Sequence, residues 1–487
     1  MSLTATRPAS TDPARIAVSA LTPSGVTSPQ DYLDWYDGCT RRNRTTSTRV
    51  PLDRLDGWAV HRETGNLAHV SGRFFVVEGL DVRRPGAAVE HWSQPIINQP
   101  EVGILGVLVR EFDGVLHCLV QGKVEPGNCN GVQISPTVQA TRSNYTRVHG
   151  GRSIPYLEYF RDPVGHRVLA DVRQSEQGAW FLQKRNRNMV VDLTGEPAPP
   201  VHEDFCWLTL AQVHALLGTT DTVNMDLRTV LSCLPFAGPE PAALLPGGAG
   251  EFSAAVARSC DEAAPTRHTS AEVLSWITGA RTRHEITATR VPLNQLERWT
   301  HRDGEIVHEA GRHYTVRGLE IVADGREVAR WSQPMFAPVG TGLSAFLVRR
   351  VDGVLHALVH ARVEPGLMDV VELAPTVQCT LENYVPGPRE LRPAFLDAVL
   401  DAPAGAVRYD VVLSEEGGRF DHARVRYLVV ETDEDVDPAD RPDHRWLPLH
   451  QLVGLLRHSH YVNVQARTLV ACLHSLVGGG GAGAGRG

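Results

Sequence analysis

The sequence predicts an α+β fold that occurs twice in tandem. The first observation is an internal repeat. Trp92-Ser93-Gln94-Pro95 recurs as Trp331-Ser332-Gln333-Pro334, Pro136-Thr137-Val138-Gln139 as Pro375-Thr376-Val377-Gln378, and Asn144-Tyr145 as Asn383-Tyr384. From Trp92 to Leu234 the register holds without a gap, and about 54 of those 143 positions match, far above chance. The second is element order: in each copy short apolar runs set off by turn signals give way to helical spacing, the order of an α+β domain. The third is length, since 487 residues suit two domains of about 200 residues each.

Residues 1–30 are rich in Ser, Thr, Pro and Ala, lack a signal-peptide apolar block, and are expected to form a disordered leader. Repeat one spans 31–236, a linker rich in Pro, Gly and Ala spans 237–268, and repeat two spans 269–477. The Gly-Ala tail 478–487 is expected to be disordered. Each repeat opens with a predicted helix, holding Leu33 and Trp35 or Leu274 and Trp276. Short strands follow at Phe74–Val77 and His313–Val316. Val107–Arg110 leads through the tight-turn pair Asp113-Gly114 into a strand over Val115–Val124, and Asp352-Gly353 repeats that hairpin. Further strands are expected at Ala179–Gln183 and Met189–Asp192. Thr209 is placed to cap a helix, and a final helix covers about Met225–Leu234.

The formal net charge is −8 and no long basic run exists, which argues against a general nucleic-acid binder. No stretch approaches the roughly 20 apolar residues of a membrane span. Of eight cysteines only Cys233 and Cys472 correspond between repeats, and no C-x-x-C pair occurs. Reduced thiols in a cytoplasmic protein are the plain expectation, with neither a zinc site nor a disulfide framework signalled.

Strand, Lys123-Val124-Glu125-Pro126-Gly127, strand and Pro136-Thr137-Val138-Gln139 occupy the places of strand, loop and Pro-Ala-Gly in the Nudix fold. A Nudix hydrolase needs a carboxylate-rich helix to hold divalent cations at a pyrophosphate. The matching segment, Arg142 to His149, has no carboxylate, and repeat two offers only Glu382. A closer resemblance covers nearly the whole chain. The duplication, Trp92–Pro95, Lys123–Asn128 and the long run Ser135–His149 are similar to the NDP-hexose 2,3-dehydratases of deoxysugar biosynthesis for natural products such as antibiotics. The resemblance implies a lyase acting on dTDP-4-keto-6-deoxyglucose, two Nudix-like domains each with a mixed sheet and flanking helices, no metal, and a homodimer. No cofactor is expected, since the reaction needs none and no dinucleotide fingerprint is present.

Such a reaction removes the C3 proton, acidic beside the ketone, and the C2 hydroxyl. The resulting enol tautomerises to a 3,4-diketo sugar. It needs a base at C3, an acid at the C2 oxygen and a donor for charge developing on the C4 oxygen. Lys123 and Glu125, two apart on a predicted strand, share a face. Repeat two keeps Glu364 but has Arg362, which cannot exchange protons near neutrality, so Lys123 carries the stronger functional signal and Glu125 is open between structure and chemistry. Arg142, Thr146, Arg147 and His149 face Leu381, Val385, Pro386 and Pro388 in repeat two, a loss that points to repeat one as the catalytic half and to a degenerate second pocket. His149 suits a general acid or base, and Arg147 a pyrophosphate or enolate oxygen. Tyr145 stacks, packs or donates. Asn128, Gln139 and Asn144, with Gln378 and Asn383, are candidate amide contacts. Arg185 and Arg187, kept as Arg424 and Arg426, alternate onto one face that suits phosphates or solvent. Trp92 with Gln94, and likewise Trp331, either stacks on and reads thymine or fills the core. The competing functions are a non-catalytic sugar-nucleotide binder and, disfavoured by the missing carboxylates, a Nudix-type hydrolase.

Overall fold

The computed structural model describes residues 11–142, 153–245, 250–324, 328–384, 391–435 and 440–478. The repeated hairpin organises each half. Asp113 and Gly114 both have positive φ (50° and 79°), as do Asp352 and Gly353 (50° and 76°), the geometry that joins two twisted antiparallel strands. In repeat one this turn links Gly103–Phe112 to Val115–Val124. Gly103–Phe112 also pairs in parallel with Arg185–Asp192, which is antiparallel to Arg167–Ser175. Phe205–Thr209, Val132–Ser135 and Val138–Ala140 complete a mixed seven-stranded sheet, and repeat two builds the same sheet around Gly342–Val351 and Val354–Val363. The expected Ala179–Gln183 strand is instead a loop, joined by a single bridge from Phe181 to Ile97 in the strand His91–Asn98 of a separate five-stranded sheet.

Thr209 accepts from the Gln212 backbone while the Gln212 side chain returns to Thr209, so a capping box starts the helix Leu210–Leu217. The closing helices Met225–Ser232 and Val464–Ser475 pack against each other, and one apolar core runs through both halves. Two fully buried arginines cross that junction. Arg228 donates to Ser414 O (2.8 Å) and lies 3.5 Å from Glu415, while Arg467 donates to Thr229 Oγ1 (2.6 Å) and to Ser175 O.

Two expectations are corrected at the repeat boundaries. Asp12–Leu21, placed in the disordered leader, is a helix burying Ile16, Ala17 and Ala20, and Glu251–Ser259, placed in the linker, is its counterpart burying Ala255, Val256 and Ala257. Ser19 donates to Leu116 O and accepts from Leu210 N, and Ser259 makes the same two bonds to Leu355 O and Leu449 N. Both helices are short and meet the sheet largely through alanine and serine, and they lie in stretches whose Ser, Thr, Pro, Gly and Ala content reads as leader or linker.

The halves are also interlocked. The polar strand Thr45–Val50 pairs with Tyr314–Ala323 of repeat two, and Thr287–Val291 pairs with Val76–Arg83 of repeat one. The Pro-Gly turn of each half is clasped by a loop of the other. Gly127 N donates to Gly417 O (2.8 Å) and His422 N to Gly127 O (3.0 Å). A Cβ on Gly127 would stand 1.7 Å from Phe420 O, which explains why glycine is shared with position 366, where a Cβ would meet Phe181 O at 1.9 Å.

Burial holds the His214 ring down at about 4 and the His474 ring, stacked 4.4 Å from Phe236, at about 3. Both rings are therefore neutral when folded, against about 6.5 for an unfolded histidine. The stability they contribute is present above pH ~6.5 and is lost as pH falls from there toward the folded values. A raised buried carboxyl such as Glu372, at about 7, acts in the opposite sense, so the comparison must be between variant and parent. His474→Phe is expected to gain melting temperature relative to the parent steadily from pH 7 to pH 5. A pH-independent difference in calorimetry would refute this.

Candidate active site

A cavity of about 330 Å³ opens where the interlock brings the two halves together. Repeat one supplies Lys123 and Glu125, at the end of Val115–Val124 and in the turn that follows. Pro126 sets that turn, closed by Asn128 N donating to Glu125 O at 3.1 Å. Gln139 on the adjacent strand Val138–Ala140 donates to Glu125 Oε1 (2.9 Å), and Lys123 Nζ donates to Gln139 O (3.1 Å). Asn224, which caps the helix Met225–Ser232, donates to Gln139 Oε1 (3.0 Å) and so fixes the amide orientation. Repeat two keeps the relay: Asn463 donates to Gln378 and Gln378 to Glu364, at 2.8 and 3.0 Å. There Arg362 also bonds Glu364, at 2.9 Å. The Glu-Gln-Asn relay is thus common scaffold, and the Lys-to-Arg difference lies directly on it.

The cavity also holds groups that sequence reasoning missed: Glu176, Lys184 and Asp226 from repeat one, and Glu416 and Arg419 from the clasping loop of repeat two. Burial first, then neighbouring carboxylates, raises the Glu176 carboxyl to about 7 and the Glu416 carboxyl to about 8. The same causes hold Asp226 well above its ordinary range. Burial lowers Lys184 to about 8. So many carboxyls in one poorly solvated space cannot all ionise, and proton-bearing carboxyls result near neutrality. Glu176 Oε2, Asp226 Oδ1 and Glu416 Oε2 have no hydrogen-bond partner among the described residues. Comparing the repeats would have found these positions, because Lys184, Asp226, Glu416 and Arg419 correspond to Ala423, Gln465, Gln177 and Trp180. Among the described residues no three His, Cys, Asp or Glu side chains are grouped as metal ligands.

Of the expected site residues, Lys123, Glu125, Gln139 and Trp331 meet in this cavity. Trp331 comes from the opposite half, held by Trp331 Nε1 donating to Gln333 Oε1 (3.0 Å) and by Trp58 Nε1 donating to Ser332 O (2.7 Å). Trp92 is not among the lining residues. Gln94 spends its amide on Trp92 (2.8 Å) and Ala179 O (2.7 Å), so it positions the indole and the adjoining loop rather than reading a base. The paired arginines are likewise corrected. Strand alternation does put Arg185 and Arg187 on one face, but Lys184 and Asn186 on the other face line the cavity. Arg187 bonds Asp171 (2.7 Å), Arg426 bonds Asp410 (2.6 Å), Arg424 bonds Asp221 (2.5 Å), and Arg185 contacts Met368. Asn128 donates to Gly131 O within its own turn, Asn383 accepts from His313 N, and Gln378 serves the repeat-two relay. Arg142 is exposed, next to Thr141 in the cavity wall. Asn144, Tyr145, Thr146, Arg147 and His149 lie outside the described residues.

The NDP-hexose 2,3-dehydratase family profile matches residues 29–234 and again 270–473. A dTDP-4-dehydro-6-deoxy-α-D-glucopyranose 2,3-dehydratase of Saccharopolyspora spinosa is 50% identical over 457 residues, 93% of each chain. Proteins of the same description from Amycolatopsis orientalis and Streptomyces violaceoruber are 47% and 48% identical, covering 95% and 93% of this chain and 93% and 98% of their own. With both copies matched, this chain belongs to the NDP-hexose 2,3-dehydratase family.

Proposed function

We propose that the chain dehydrates dTDP-4-dehydro-6-deoxy-α-D-glucopyranose, the 4-keto sugar nucleotide named for its relatives, to the dTDP-3,4-diketo-2,6-dideoxyhexose, in the cavity of repeat one. The observation that carries this reading is the asymmetry of that cavity: Glu125 and Glu176 are kept as Glu364 and Glu415, but four of its proton-exchanging groups, Lys123, Lys184, Asp226 and Glu416, have Arg, Ala, Gln and Gln as their counterparts. Lys123 takes the C3 proton, since it sits on the Gln139–Glu125 relay and its counterpart Arg362 stays charged. Arg147 and His149, on the segment that follows Thr141, are further proposed contacts to the reacting oxygens. Trp331 offers a π face to thymine.

Incubation with the 4-keto sugar nucleotide and a chelator, followed by trapping of the diketone, tests the reading. Diketone is the expected product. A hydrolase would release nucleoside monophosphate and a binder would leave the substrate unchanged. Trp331→Ala is expected to raise KM about tenfold with little change in kcat, the size of one base–aromatic stack, whereas Trp92→Ala leaves both near the parent value. Equal effects of the two substitutions in steady-state kinetics would refute the assignment of Trp331.

The eight cysteines are unpaired, and among the described residues no helix is long and apolar enough to cross a membrane. A cytoplasmic homodimer is the assembly proposed. Light scattering that gave the mass of one 53.3 kDa chain at micromolar concentration would overturn the dimer.

A further inference from the structure

The elimination needs a proton at the departing C2 oxygen as well as a base at C3. We infer that Glu416, delivered into the repeat-one cavity by repeat two, is the general acid that protonates the C2 hydroxyl as it leaves. The inference rests on the dehydration reading above and adds a catalytic group from the other half of the chain.

Three independent features point to Glu416. The first is geometry. The clasp between Gly127 and Gly417 ties the 416–419 loop to the turn that carries Glu125, and Glu416 lines the same cavity as Lys123, Glu125 and Trp331. Glu416 keeps some accessible surface although protein surrounds it on all sides, as a residue facing an internal cavity does. The second is hydrogen bonding. Oε1 accepts from Gly418 N at 3.1 Å, but Oε2 has no protein partner among the described residues. A buried polar atom left this way costs stability unless a ligand or water completes it. The third is the repeat. The position equivalent to Glu416 is Gln177, whose amide donates to Glu415 Oε2 (2.9 Å) and Met225 Sδ, so the same place in the fold is filled there by a group that cannot give up a proton.

The charged groups facing Glu416 are Glu125 from the Pro-Gly turn, Arg419 from its own loop, Glu176 and Lys184 from the opposing segment, and Asp226 from the helix beneath. Burial, with Glu125 and Glu176, outweighs Arg419 and Lys184, and the carboxyl is held up at about 8. It therefore bears its proton at neutral pH, as a general acid must.

The protons balance. The C3–H electrons move toward the C4 carbonyl as Lys123 takes the C3 proton. The C2–O bond then breaks as Glu416 gives its proton to the hydroxyl, which departs as water and leaves a C2–C3 enol. The enol returns its O–H proton to the Glu416 carboxylate, and the proton held on Lys123 is delivered to C2. Substrate becomes diketone plus one water, and both groups are reset without any co-reactant.

The test is Glu416→Gln, with the 4-keto sugar nucleotide in D2O followed by NMR. The parent must first produce diketone; failure there would sink the dehydration reading itself, independently of Glu416. The variant is expected to wash deuterium into C3 at a rate near the parent's while forming diketone about a hundredfold or more slowly, because enolisation precedes the step that needs the acid. Glu416→Asp, a shorter acid, is expected to recover part of the loss. The parent kcat is expected to fall as pH rises through about 8, and that limb should vanish in the residual activity of Glu416→Gln. Thermal melting and dTDP binding equal to the parent's establish that the variant is folded. Diketone formation within threefold of the parent overturns the assignment. So does loss of C3 exchange together with dehydration in a folded, dTDP-binding variant, because Glu416 would then serve enolisation or architecture.

Discussion

Lys123→Met stops deuterium exchange at C3 and lowers turnover by at least about a hundredfold, the usual contribution of a general base, while the protein stays folded and still binds dTDP. This outcome is the mirror image of that expected at Glu416, where exchange continues without elimination, so the pair separates base from acid in one NMR experiment. The matching control in the other half is Arg362→Lys, which keeps a cation beside Glu364 and should leave turnover within about twofold. Arg362→Ala is a poor control. It would strip the buried Glu364 of its 2.9 Å partner, and breaking a buried pair costs about 3–5 kcal/mol. If Lys123→Met keeps C3 exchange at the parent rate, the base lies elsewhere.

Dividing the chain within 246–249 yields two fragments, neither of which is active or folded alone, and which regain activity when co-expressed. Each fragment would lose an exchanged strand, Thr45–Val50 or Thr287–Val291, and would expose the junction of the final helices. Arg228 or Arg467 would lose its partners in the other half, Ser414 O and Thr468 or Ser175 O and Thr229. Exposing the apolar junction forfeits the burial and hydrogen bonds that join the halves, a loss comparable to the whole stability of a domain. The repeat-one fragment would also lack Glu416, Arg419 and Trp331 from its cavity. Circular dichroism, gel filtration and the diketone assay check this. A monodisperse, active repeat-one fragment would contradict both the interlock and the composite site.

Much of this was legible in the chain. The duplication, the Asp-Gly hairpins, the Thr209 cap and the strand Val115–Val124 rest on local rules: repeats, positive-φ turn residues, capping boxes and alternation act over a few residues and survive in any context. Lys123 beside Arg362 was visible because two copies of one scaffold can be compared position by position. The same comparison carries the signal for Lys184, Asp226, Glu416 and Arg419, whose counterparts are Ala423, Gln465, Gln177 and Trp180, but nothing local places those four side chains beside Lys123.

What the sequence determined by itself was the repeated α+β unit, its hairpins and the half that keeps proton-exchanging side chains. Which residues share a cavity was decided only in three dimensions. Strand exchange and the glycine clasp bring Trp331, Glu416 and Arg419 of one copy to Lys123 and Glu125 of the other, more than 200 positions away. Backbone pairing between halves and burial at their junction leave no local periodicity to read. Those same contacts remove the carboxyls from water and raise them into the range where they can hand over a proton.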